Sequence, residues 1–192
     1  MWKHLLGFFV AIILVIFASF LIFSNKSLFG GKTISLGQQV NKFANYSNTN
    51  AVASLTIDGP IVANQNFNQV IIKVSSLYTK IYIIDGFNNS IVQKQVFSNN
   101  SNSFNAFLKS LALNNFELKT NNSNGLSGPI GVCPGGDSYI FKLINGNQTI
   151  VNTWETNCLN QPYTFGGNLN EVLNLFENQI PNYNQDVNNL NL

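Results

Sequence analysis

The chain has 192 residues, a formal net charge of +2 and only 9 % charged residues. All ten basic residues are lysine, which excludes planar, bidentate recognition of phosphate or carboxylate by arginine. A lone histidine, His4, and two cysteines exclude a clustered zinc site, and they exclude Ser–His or Cys–His catalysis in whatever domain follows residue 4.

Met1-Trp2-Lys3-His4 is followed by Leu5 to Phe23, an unbroken apolar run of about the 20 residues that a bilayer-crossing helix requires. No small-x-small cleavage site lies close behind Phe23. The expectation is therefore an uncleaved signal-anchor over residues 1–24 that takes the lipid bilayer as its partner through Leu5 to Phe23. Residues 25–50 are rich in Ser, Gly, Asn, Lys and Gln, with Gly30-Gly31 opposing helix. They read as a flexible linker, although Ile34, Leu36, Val40 and Phe43 fall at amphipathic spacing.

From Ser54 the period shortens to two. Strands are expected over Ser54–Val62, broken at Asp58-Gly59-Pro60, and over Gln69–Ser75, Tyr78–Asp85 and Ile91–Phe97, with Asp85–Ser90 as turn chemistry. The period then lengthens. Phe104, Phe107, Leu108 and Leu111 share one helical face, with Ser101 or Ser103 as cap. Two further strands, Ser138–Ile144 and Thr149–Trp154, flank Asn145-Gly146, a strong hairpin signal. With those two residues at the turn, Ile144 faces Asn147, and the same register carried outward brings Cys133 opposite Cys158. A disulfide between them is expected, and with it an oxidising compartment. That places the N-terminus in the cytoplasm and the domain on the extracytoplasmic side of the cell membrane. A second helix follows: Asn168 is its cap, Glu171 sits three residues on, Leu169, Val172, Leu173, Phe176 and Ile180 line one face, and Pro181 stops it. Residues 183–192 read as a polar tail.

The fold expected for residues 51–182 is α+β. An antiparallel sheet of about six strands carries two helices packed on one face, in the order ββββαββα, behind an N-terminal transmembrane helix. Chemistry is sparse. Asp58, Asp85, Asp137 and Glu155 are the acids from which a carboxylate-only hydrolase would be built. The glycine-rich loop Cys133–Tyr139 precedes a strand where a phosphate loop would precede a helix. Tyr139, Trp154, Tyr163 and Phe165 are the candidate binding surface. The lysines are scattered singly and no basic stripe is expected to form, so nucleic acid is not an expected partner. No cofactor is implied.

The C-terminal third reads C-P-G-G-D-S-Y, W-E-T-N-C, Y-T-F-G-G-N and L-F-E-N-Q-I-P. In these motifs, and more loosely over Leu55 to Pro181, the chain resembles small membrane-anchored proteins of candidate-phylum bacteria of the Saccharibacteria type. That resemblance implies a location and no activity. A looser likeness is to type IV pilins and pseudopilins, which also join an apolar N-terminal helix to an antiparallel sheet with a late disulfide. Here Lys3 and Gly7-Phe8 stand near the processing position, but Ile12 occupies the place of the pilin glutamate and Gly30-Gly31 interrupts the helix. The functional expectation is a non-catalytic binding or envelope-interaction module with a surface protein of the envelope as partner. The alternatives are a pilin-like or secretion-assembly subunit and the carboxylate-only hydrolase.

Overall fold

Alternation of apolar and polar residues builds six strands: β1 (Ala51–Asp58), β2 (Asn68–Ser75), β3 (Tyr78–Asp85), β4 (Ser90–Ser98), β5 (Ser138–Asn145) and β6 (Gln148–Thr156). The computed structural model describes residues 36–61, 63–188, 190 and 192. The run Leu5–Phe23 lies outside the described residues. Among those residues no helix is long and apolar enough to cross a membrane.

The six strands form one sheet in the order β4-β3-β2-β1-β5-β6, and every neighbouring pair is antiparallel. The first four make a meander, which leaves β1 at an edge. The chain then crosses over and sets β5 against that edge, Leu55 opposite Phe141. On one face the cross-strand rows are apolar: Ile81, Ile72, Leu55 and Phe141 stand side by side, each fully buried. Helices cover this face, since a sheet with one apolar side must bury it.

Four helices lie along the described chain: α1 (Leu36–Ala44), α2 (Ser101–Leu113), α3 (Leu169–Glu177) and α4 (Tyr183–Val187). The element order is thus αββββαββαα, with one helix before the expected set and one after it. On α2, Phe104, Phe107, Leu108 and Leu111 are the buried face, as their spacing requires. Its cap is Asn100, whose side chain accepts from the Ser103 backbone N–H at 3.0 Å, and neither Ser101 nor Ser103 fills that place. Asn168 caps α3 by accepting from the Glu171 backbone N–H. A chain of rings joins the layers. Phe43 of α1 meets Phe116 edge-on at 6.3 Å, and Phe116 meets Phe141 of β5 at 6.0 Å and Phe176 of α3 at 6.0 Å.

Two stretches expected to be peripheral are built in. The compact unit begins at Leu36, inside the span read as linker, because Phe43 supplies a core ring and is fully buried. Lys42 of α1 pairs with Glu117 at 2.8 Å, and Asn105 of α2 donates to the Ala44 carbonyl and the Ser47 hydroxyl. At the other end, α4 falls in the expected polar tail. Its Tyr183 is buried, and one oxygen of Asp186 accepts from both Gln93 and Gln95 of β4 at 2.8 Å. These glutamines stand opposite Ile83 and Ile81, so α4 covers the β4 end of the helix-side face.

The hairpin register also differs from expectation. Asn145 pairs with Gln148, so the turn residues are Gly146 and Asn147. Only the first of the two has positive φ, which suits a turn with glycine at its first central position. A bulge follows, and Leu143 then opposes Val151. Carried outward, that register would set Cys133 against Gln161. The disulfide Cys133–Cys158 forms all the same, with Cα atoms 5.8 Å apart, because the chain reverses at Cys133–Gly136, where the Gly136 N–H donates to the Cys133 carbonyl. A Cβ on Gly136 would lie 2.6 Å from Cys133 Sγ and closer still to Asn157 Oδ1, so the reversal requires glycine. Asn157 closes the bracket: its side chain accepts from the Asp137 N–H at 2.9 Å and donates to the Asp137 carboxylate at 3.0 Å.

Candidate functional site

The second face of the sheet carries the other half of each alternation. Register aligns Lys80 of β3 with Lys73 of β2, Lys73 with Ser54 of β1, and Ser54 with Lys142 of β5. Lysines that stand singly in the sequence thus form one row across four adjacent strands. Lys94 of β4 lies opposite Tyr82 on the same face. This overturns the expectation that no basic stripe forms. Short turns and a crossover gather what the chain keeps apart.

Two tyrosines hold the ammonium groups in place. Lys80 Nζ sits 3.7 Å from the centre of the Tyr78 ring, and Tyr82 lies between Lys73 and Lys94, at 5.6 and 5.7 Å. Such cation–π contacts are worth about 0.5–1 kcal/mol each at exposed sites. Counter-charge is missing. Lys42–Glu117 is the one ion pair among the described residues, and it lies on the helix side. Glu155 opposes Tyr139 on the helix-covered face, Asp186 binds there too, and Asp58 is the one acid in register with the open face. Lys73 and Lys80 are direct cross-strand neighbours, an arrangement of like charges that costs stability.

The centre of the row is concave. On β1 the outward residues are small (Val52, Ser54 and Thr56), while Lys73 and Tyr78 rise on one side and Lys142 and Ile144 on the other, enclosing a depression of about 450 Å³. The Ser54 hydroxyl on its floor can donate or accept. The arrangement can bind anions by charge and hydroxyl. Among the described residues no group of three or more His, Cys, Asp or Glu could hold a metal ion.

The four aromatic residues singled out from sequence do not form one surface. Tyr139 faces the helix layer, and its hydroxyl donates to Asp137 at 3.4 Å. Burial, reinforced by the Asp137 charge, pushes its pKa up to about 12. Phe165 is 1 % exposed and packs on Phe141 at 4.5 Å. Trp154 is 4 % exposed and stands opposite Ile140, on the other side of the sheet from Phe141. Tyr163 is half-buried in the loop after β6. Of the carboxylates, Asp58 and Glu155 occupy opposite faces, whereas Asp137, beside Tyr139, and Glu155, opposite Tyr139, stand at neighbouring levels of the β5–β6 ladder.

Comparison of the chain with models of protein families, with curated proteins and with solved structures found no match. The site therefore rests on its own geometry. One signal for it was present in the sequence. Lys73 and Lys80 lie equally far from the middle of the short Ser75–Tyr78 turn, and equal steps from a tight antiparallel turn make cross-strand neighbours. No comparable signal existed for Lys142, whose strand joins β1 from far along the chain.

Proposed function

We propose that this chain is a membrane-anchored, extracytoplasmic binding module, and that its open sheet face binds a linear polyanion of the polyphosphate type, without nucleobases, outside the membrane. The anchor would be Leu5–Phe23, supported by its length and apolarity. The oxidising side is supported by the Cys133–Cys158 disulfide. The observation that carries the ligand is the row Lys80–Lys73–Ser54–Lys142, cationic, outward-facing and without carboxylate partners.

Adjacent strands lie about 4.8 Å apart, so three strand steps from Lys80 to Lys142 extend about 14 Å. An anionic chain crossing the strands meets ammonium groups on three of them, and a fourth on β4. The like-charge neighbours Lys73 and Lys80 lose their mutual repulsion once an anion lies between them. Base recognition is disfavoured for two reasons: the chain has no arginine, and both tyrosine rings of the face are engaged by lysine ammonium groups, which leaves them poor platforms for stacking a base.

The test is titration of the full chain, held in zwitterionic nanodiscs, with linear inorganic polyphosphate over a range of salt. Engagement of the four lysines predicts that log K falls linearly with log salt, with a slope of about −3. No binding at low salt would overturn the proposal. So would tighter binding of a single-stranded oligonucleotide, or of anionic vesicles, than of polyphosphate.

A further inference from the structure

The outward residues of β1 end at Asp58, and beside it lies a second cavity of about 260 Å³. It shares no lining residue with the depression over Ser54. Its walls are apolar. Phe67 and Phe87 stack with ring centres 4.7 Å apart, and Ile61, Phe87 and Ile130, which are 50, 50 and 90 % exposed, form its rim. Exposed apolar side chains gathered around one concavity are the usual mark of a ligand groove. The polar groups come from three adjacent strands at one register level, Asp58 of β1 opposite both Gln69 of β2 and Ser138 of β5.

We propose that this cavity binds a compact apolar group carrying one cationic nitrogen, of the arylalkylammonium class, with Asp58 as its counter-ion. The charge of the site decides the sign of the ligand. Asp58 is the one titratable side chain lining the cavity, and its other polar neighbours, Gln69, Ser138 and Asn89, are neutral. Gln69 Nε2 donates to Asp58 Oδ1, which fixes the carboxylate and leaves its second oxygen free for the ligand. The aromatic wall attracts the same cation through its ring faces. The volume falls just below the range of about 300–1,000 Å³ usual for drug-sized ligands, so the group is small: one ring or a short branched chain beside the nitrogen.

Burial raises the pKa of Asp58, and the Gln69 hydrogen bond offsets part of that rise. Cation binding needs the ionised form. Affinity is therefore full above the raised pKa and is lost as pH falls through it, and no other group of the cavity titrates with it.

The probe is phenethylammonium, added to the full chain in nanodiscs and followed through the amide resonances of Gly59, Gln69 and Ser138. Reporting from protein amides separates cavity binding from partition into lipid. Saturable shifts are expected, weakening at acidic pH, and at least tenfold weaker binding in Asp58→Asn. Phenylacetate, the same ring with the opposite charge, should leave these resonances unmoved. Should Asp58→Asn fail to fold, Phe87→Ala, in an exposed turn, should weaken phenethylammonium binding about as much. Equal binding of phenylacetate overturns the proposal, as does undiminished phenethylammonium binding in either folded variant.

Discussion

Replacing both Cys133 and Cys158 by serine should cost the fold about 3.5 kcal/mol. The two residues are 25 apart in sequence, and closing a loop of that length removes about 12 cal/mol/K from the unfolded chain, which gives that figure at 25 °C. Against a domain stability of about 5–15 kcal/mol the loss is large but survivable. The Asp137–Asn157 bracket still joins the strand ends in the variant, so the loss should fall on global stability while the hairpin register is kept. Urea unfolding reports it through Trp154, which is 4 % exposed, with Trp2→Phe in both backgrounds to leave one indole. With a urea dependence of ~2 kcal/mol/M, the midpoint should drop by about 1.7 M at unchanged slope. A drop below about 0.5 M would refute the loop-closure reasoning and assign the closing of the hairpin base to the Asn157 bracket. A changed slope would show that the bridge also shapes the unfolded ensemble.

Two further outcomes follow from the helix-covered face. Asp186→Ala removes the acceptor shared by Gln93 and Gln95 and should cost about 2 kcal/mol. Hydrogen exchange should show α4 and the β4 amides losing protection first. Tyr139 ionises in the unfolded chain near pH 10 but in the fold only near 12. The raised value means that the stability it contributes is intact below pH 10 and is lost between 10 and 12. Tyr183 is shifted in the same direction by burial. Tyr139→Phe should flatten part of this alkaline loss, as measured by thermal unfolding across that range.

Local pattern carried most of the elements. Period-two alternation marked β2 and β3 because one of their faces is buried. The spacing of Phe104 to Leu111 marked α2, and Asn168 with Glu171 marked the start of α3. Three things escaped, each for a physical reason. Phe43 and Tyr183 lie in polar surroundings: the amphipathic spacing that ends at Phe43 is short and follows Gly30-Gly31, and Tyr183 stands in an Asn-rich tail, yet each is buried against the core. The hairpin register differs because the turn takes Gly146-Asn147 and a bulge at Ile150 adds one residue more, while the reversal at Cys133–Gly136 still lets the two cysteines meet. The site was hidden most deeply. Lys73 and Lys80 meet across a tight turn, but Lys142 joins them only through the pairing of β1 with β5, a non-local contact that no local pattern encodes. Aromatic residues suggested a surface from sequence, but Trp154 and Phe165 proved to be buried.

The central claim is that the open sheet face, and not net charge at large, binds a polyanion. It is tested most directly by two charge-matched triple variants. Lys73→Gln, Lys80→Gln and Lys142→Gln together empty the row, whereas Lys42→Gln, Lys109→Gln and Lys119→Gln remove the same charge from outside it. Polyphosphate affinity at fixed salt should fall in the first by about 2 kcal/mol, roughly thirtyfold, and by less than about twofold in the second. Equal losses in the two variants would contradict the account, because the lysines would then act only through total charge.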